Sequence, residues 1–211
     1  AMRSRGLIGE GPLVLETLAG LVSIIVEGAN IQMTQIAPEF GPKVPADIVA
    51  AVGGLTADDI VGEPQVVSTG LPFCITVLKS ADALKRASLN LDALGCYNTH
   101  LGQTTNDGMT PFWVVQEGAT PLGDTFSRLL LAPPSPLEDP FTGSATGAMA
   151  AYLWANGMIS EPAFVAEQGH GMGRAGHAQI KVLGHRDAIT GVDVSGEGFV
   201  LMSGTINLPC Y

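Results

Sequence analysis

The sequence predicts an α+β fold in which mixed strands close, barrel-like, around one central buried helix. Two observations predict it. Ala145, Ala148, Met149, Ala150, Ala151, Leu153, Trp154 and Ala155 leave residues 145–155 almost no polar face, and a helix that is apolar all round is a buried one. Around it, short segments alternate apolar and polar residues with the period of a half-buried strand, most cleanly at Gln179-Ile180-Lys181-Val182 and Val192-Asp193-Val194. The 27 Gly and 14 Pro among 211 residues supply the turns that many short strands need. Mixed strands about a single apolar helix argue for one α+β core.

Taken in order, residues 13–16 and 21–26 read as two strands joined by a turn at Ala19-Gly20. Two strands alone are marginal in water, so they require a sheet partner. Residues 35–43, with Pro and Gly, read as a connector and a domain junction. Residues 45–52 form a short helix with Pro45 at its start and Gly53-Gly54 at its end. Thr56 caps a further turn, with Asp58 and Asp59 at its positive end. Residues 66–68 and 72–78 are strands. Ser80 caps a helix to about Arg86, and residues 92–94 add a turn. Residues 110–116 and 125–131 are strands separated by a Gly/Pro turn at 118–123. The buried helix stops at Asn156-Gly157. Strands follow at 164–167, 179–182, 192–194 and 199–206, the last closing the set.

The net charge of −10 argues against nucleic acid or anionic membranes as partners. No apolar run is long enough to span a bilayer, and no signal peptide is evident. Cys74, Cys96 and Cys210 are odd in number and scattered. That pattern fits a reducing cytoplasm and offers no metal site. His170, His177 and His185 lie at spacings that match no usual zinc pattern, so no metal is expected. Gly171-Met172-Gly173-Arg174-Ala175-Gly176 has the spacing of a dinucleotide fingerprint, but a strand follows it where a helix is needed. It reads instead as a glycine-rich connection between antiparallel strands. His170 and Arg174, in that loop, are candidates to border a polar site.

The stretch EDPFTGSATGAMAAYLWANG, residues 138–157, carries the most chemistry. Thr142 and Ser144 are both N-cap residue types. The first turn of a helix holds unpaired N–H groups at the positive end of its dipole. Gly143 lacks the Cβ that would keep a ligand off that backbone. Gly143, Ser144 and Ala145 are therefore candidates for binding a carboxylate or phosphate, with Asp139 beside them as a polar or acid/base group. A capping turn without any ligand would use the same residues, and spacing does not separate the two. Glu138 and Asp139 are adjacent, so in an extended segment they point to opposite sides. The one outside the pocket is solvated or paired with Arg128.

EDPFTGSATGAMAAYL resembles the signature of the phenazine-biosynthesis PhzF-like isomerases, which share the diaminopimelate-epimerase-like fold. STGLPFCITVL at 68–78, Phe126-Ser127-Arg128 leading to Ala132-Pro133, and QGHGMGRAGHAQIKV at 168–182 resemble further parts of that family. The resemblance covers most of the chain from about Glu16. It implies that 36–211 is the second PhzF-like domain and that 1–35 is a remnant of the first, with the last strand returning to that remnant. It also implies an active-site cleft between the halves that needs no cofactor. Helix N-termini there hold a small carboxylate, and Asp139, Gly143, Ser144 and Ala145 form the second-half side. The family's first half carries a catalytic glutamate and a Gly-His-Pro segment. This sequence has no His-Pro pair, and all four histidines lie at or beyond His100, so the chain is expected to lack that glutamate.

Two functions from different classes follow. One is a cofactor-independent isomerase or epimerase acting on a small carboxylate by proton transfer, its acid/base supplied by a partner chain or by an internal substitute. The alternative is a degenerate, non-catalytic protein that keeps the fold and an anion pocket or oligomeric role. In either case the hairpin at 13–26 leaves apolar surface and a sheet edge uncovered. A homodimer or higher oligomer burying Leu13, Leu15, Ile24 or Val26 is expected.

Overall fold

A computed structural model describes residues 2–17, 20–102, 110–198, 200 and 202–206. After a short 3₁₀ turn come β1 (Gly11–Thr17), β2 (Gly20–Glu27), β3 (Asn30–Gln35), β4 (Glu39–Lys43) and α1 (Ala46–Val52). They are followed by β5 (Ile60–Ser68), β6 (Pro72–Leu78), α2 (Ala81–Arg86), α3 (Leu91–His100), β7 (Pro111–Val115), β8 (Thr125–Leu130) and β9 (Glu138–Asp139). The chain then forms α4 (Gly143–Ala155), β10 (Ala163–Gln168), β11 (Gly176–His185) and β12 (Ala188–Glu197).

The strands make one mixed sheet in the order β1-β2-β3-β12-β11-β10-β8-β7-β6-β5-β4, with β9 added beside β8. Among the described residues, β6–β7 and β8–β10 pair in parallel and the other ladders are antiparallel. The helix α4 touches β12 and β11 on one side and β5 and β6 on the other. Those strands are far apart in the sheet, so the sheet curves around the helix.

The reason lies in the side chains. β6 reads Pro-Phe-Cys-Ile-Thr-Val-Leu, nearly continuous in apolar residues, because both its faces are covered. Phe73, Ile75 and Val77 join the core around α4, while Cys74 and Leu78 join a second core beneath α1, α2 and α3. β7 divides in the same way, with Phe112 and Val114 toward α4 and Trp113 toward the outer helices. α4 itself is covered from Ala145 to Leu153 without a break.

The caps at 56 and 80 form as expected. Thr56 and Asp59 make a reciprocal capping box, and Ser80 Oγ accepts from Ala83 N at 3.2 Å. The glycine-rich segment connects the antiparallel strands β10 and β11. The turn expected at 19–20 falls partly outside the described residues, as does Cys210.

Four expectations need correction. Segment 35–43 is not merely a connector, because it holds the end of β3 and all of β4. β3 alternates Ile31 and Met33 with polar neighbours, and β4 carries its Pro and Gly on the sheet edge, where Pro costs no ladder bond. The turn at 92–94 belongs to the first turn of a longer helix, α3, which Asn90 starts by accepting from Asp92 N and Ala93 N, both at 3.1 Å. β5 begins six residues earlier than the strand read at 66–68. No strand forms over residues 200 and 202–206, whereas 199 and 201 lie outside the described residues. β12 is already flanked by β3 and β11, so no ladder position is open beside it.

The ribbon β1–β3 leaves large apolar side chains uncovered on both faces. Val14, Leu21 and Ile25 lie exposed on one face, and Leu15, Ile31 and Met33 on the other. Val26, expected at a subunit contact, is already buried within the chain.

Candidate functional site

The start of α4 opens into a cleft of about 450 Å³. Gly143 and Ser144 form part of its wall, with Gln35 and Thr69 beside them and Val22, Met33, Ile36, Leu71 and Val194 as apolar sides. None of the described residues lining it carries a charge. An ideal Cβ on Gly143 would meet nothing within 4 Å, so this position faces open space. Ala145 is fully buried behind it.

The backbone donors at this end are only partly used. Thr142 N donates to Gln168 Oε1 at 3.0 Å, and Thr146 N donates to Thr142 O at 2.9 Å. The N–H groups of Gly143, Ser144 and Ala145 find no acceptor among the described residues. Thr142 stands at the N-cap position, yet its side chain makes no capping bond, which departs from the ordinary role of that residue type. Its hydroxyl donates to Asp139 Oδ2 at 2.6 Å instead.

Gln35 fixes the rim. Its Nε2 donates to Gly143 O at 2.9 Å, and its Oε1 accepts from Thr69 Oγ1 at 2.5 Å. This ties the end of β3 to α4 and to the residue after β5. The approach depends on Gly147, where an added Cβ would lie 1.8 Å from Gln35 Oε1.

β9 separates the acid pair by alternation. Asp139 lies opposite Leu129, which belongs to the α4 core, and Glu138 lies opposite Leu130, which belongs to the outer core. Glu138 accepts two bonds from Arg128, from Nε at 3.1 Å and Nη2 at 2.8 Å. Arg128 Nη1 also closes the end of α2 through Leu84 O at 2.8 Å and Ala87 O at 2.9 Å.

His170 and Arg174 do not join Gly143 and Ser144. His170 borders a different hollow of about 420 Å³, lined also by Phe126, Arg128 and Glu138, on the side of the outer helices. Its ring stands edge-on to Phe126 at 5.5 Å, and Nε2 lies 3.7 Å from Glu167 Oε1. Burial pushes the Glu167 carboxyl up, but bonds from the Thr120 hydroxyl and N–H, with the nearby His170, hold it below the usual range. Arg174 is exposed and outside the cleft.

Three polar residues of this region were not singled out from sequence. Gln35 and Thr69 lie far from the acidic motif in the chain, and although Thr69 falls in the quoted segment 68–78, nothing local marks either as part of this site. Gln168 opens the quoted glycine-rich stretch, but its neighbours Asp139 and Thr142 are brought to it only by the packing of β10 against α4. Among the described residues, no three His, Cys, Asp or Glu side chains cluster as a metal site would require. No helix is long and apolar enough to cross a membrane.

Residues 1–204 match the model of a family described as phenazine biosynthesis-like protein. The chain is 31% identical over 181 residues to the uncharacterized isomerase YddE of Salmonella typhimurium, covering 82% of this chain and 59% of that protein. It is 28% identical over 195 residues to the uncharacterized isomerase YfhB of Bacillus subtilis, covering 86% and 64%. The chain thus spans about three fifths of the length of these curated relatives. Among solved structures, the fold resembles a PhzF-family phenazine biosynthesis protein of Bacillus anthracis, with a TM-score of 0.76 and 23% identity over 93% of this chain and 69% of that one. It also resembles a predicted epimerase of Pseudomonas aeruginosa, with a TM-score of 0.68 and 27% identity over 96% and 71%.

Proposed function

The chain belongs to the phenazine biosynthesis-like protein family, and from that premise we propose that it forms one wall of a cofactor-independent isomerase or epimerase site for a small carboxylate. The observation that carries the proposal is the set of unmet N–H groups at Gly143, Ser144 and Ala145 beside an uncharged cleft. With no charged side chain in the lining, the helix start is the feature that favours an anion. The apolar sides suit a ligand with an uncharged body.

Proton transfer needs a positioned group that titrates in a useful range. None of the described residues lining the cleft titrates near neutrality. Asp139 stands one hydrogen bond away through Thr142 and is the nearest acid/base of the motif. On this reading a partner chain supplies the catalytic proton carrier, and the isolated chain binds without turning over. The same lack of an acid/base in the lining supports the second reading, a non-catalytic anion-binding protein.

The exposed apolar ribbon β1–β3 borders the cleft through Val22 and Met33. It supports self-association of the chain as a homodimer, with the ribbon at the contact. On this reading residues 1–35 are the edge of the family's first half and 36–211 its second.

The test is an amide NMR titration with sodium benzoate. A helix start contributes only about 0.3–1 kcal/mol toward a nearby negative charge, so binding is expected to be weak, with shifts centred on Gly143–Ala145. Gly143→Val places a side chain in open cleft space without touching the core, and it is expected to abolish the shifts while keeping the spectrum folded. Unperturbed amides at the start of α4 in the unsubstituted protein would refute the carboxylate site. Isomerisation by the purified chain would refute the claim that the proton carrier lies outside it.

A further inference from the structure

We propose that Gln168 is a positioning residue that keeps the start of α4 open to a ligand, by occupying the hydroxyl that would otherwise cap it. This inference rests on reading that helix start as the carboxylate-binding end of the cleft.

A threonine before the first turn of a helix normally accepts a bond from the N–H two or three residues on. Thr142 does not. Its hydroxyl hydrogen goes to Asp139 Oδ2 at 2.6 Å, and its oxygen accepts from Gln168 Nε2 at 3.1 Å. The other hydrogen of Nε2 goes to Asp139 O at 2.8 Å, and Oε1 accepts from Thr142 N at 3.0 Å. Gln168 is 0% exposed. It closes β10, whose Phe164 and Ala166 already face α4, so alternation delivers its side chain to the same face.

An amide has two donor hydrogens and two acceptor sites. Gln168 spends both donors and one acceptor on two residues, Asp139 and Thr142. A buried network satisfied in this way holds one geometry. Here that geometry turns the threonine oxygen away from the Ser144 and Ala145 N–H groups, so the donors that a cap would consume stay available. A glutamine can do this and an apolar residue of equal length cannot, because only the amide hydrogen competes for the threonine oxygen.

Gln168→Met retains length and burial but donates nothing. Thr142 keeps its bond to Asp139, but its oxygen, no longer occupied by the amide hydrogen, can accept from the helix start, and a ligand must displace that cap. Benzoate binding, followed at the Gly143–Ala145 amides, is expected to weaken about fivefold, the size of one capping bond. Adding Thr142→Val to Gln168→Met removes the competing oxygen, and binding is expected to recover beyond that of the single variant. A role in core packing alone would not produce this recovery. Gln168→Leu, which also donates nothing and brings no charge to the site, serves if the methionine variant fails to fold, and the same weakening is expected. If the unsubstituted protein shows no benzoate response, the carboxylate site is wrong and this inference falls with it. If it responds and Gln168→Met responds equally, or the double variant binds no better than the single, only the role of Gln168 is overturned.

Discussion

Gly147→Ala is expected to destabilise the protein as it stands and to stabilise it once Gln35 has been shortened. In an ordinary helix the change from Gly to Ala gains about 1 kcal/mol. Here the new methyl group would lie 1.8 Å from Gln35 Oε1 and 2.6 Å from its Cδ, so the glutamine must leave. Its departure breaks the bonds to Gly143 O and Thr69 Oγ1, each with a net value of about 1 kcal/mol. Forcing volume into a packed site adds about 1–3 kcal/mol. Set against the helix gain, the single substitution should cost about 2–4 kcal/mol. In a Gln35→Ala background every side-chain atom that the methyl group would strike is gone, and Gly147→Ala should stabilise by about 1 kcal/mol. Urea unfolding followed by fluorescence of the buried Trp113 gives the four free energies of the cycle. If Gly147→Ala has the same sign in both backgrounds, Gln35 is not held against the helix as described.

Other outcomes follow from single contacts. Arg128→Met strands the half-buried Glu138 and releases the carbonyl end of α2, and it should cost about 3 kcal/mol by urea unfolding; a loss below about 0.5 kcal/mol would mean that the pair behaves as an exposed surface pair. Because the folded Glu167 carboxyl is held below its ordinary value of 4.5, its contribution is fully present above that pH and disappears as pH falls through the lower folded value. The stability gap between the unsubstituted protein and Glu167→Gln should therefore narrow as the pH falls below 4.5; a gap that widens below that pH reverses the assigned sign. Burial pushes the Cys74 thiol up to about 11, whereas Cys96 is exposed. At pH 8 iodoacetamide should label Cys96 and leave Cys74 untouched in the native protein, as read by peptide mass spectrometry.

The parts of the fold that were legible in sequence are those decided by local chemistry. The apolar circumference of α4 announced a buried helix, and the Asn-Gly stop ended it where expected. Thr56, Ser80 and Pro45 marked starts because capping is settled within four residues. β3 and β4 escaped notice because neither is stable by its own composition. β3 is half polar and takes its place from β2 and β12, while β4 holds a Pro and a Gly that only an edge position accommodates. The candidate site divides in the same manner. Gly143 and Ser144 were visible as a motif, and the placement of Glu138 against Arg128 followed from strand alternation. Gln35, Thr69 and Gln168 were not visible as site residues, because Gln35 and Thr69 reach α4 from far earlier in the chain and Gln168 from the far end of the strand that follows it. His170 was grouped with the site on its loop position, but the sheet lies between its hollow and the cleft.

The pairing of β3 with β12 joins Asn30 to Glu197 and Gln35 to Val192. During synthesis β3 cannot complete this pairing until β12 has followed it, with α1 to α4 and β4 to β11 made in between. Long-range pairings of this kind are slow to form, and strand edges left bare meanwhile are open to wrong partners. Val14, Leu21 and Ile25 are exposed even after folding, so the nascent ribbon offers chaperones and neighbouring nascent chains an apolar surface throughout synthesis. The yield of soluble protein in a cell should accordingly depend on translation rate and chaperone supply more than on the strength of the core around α4.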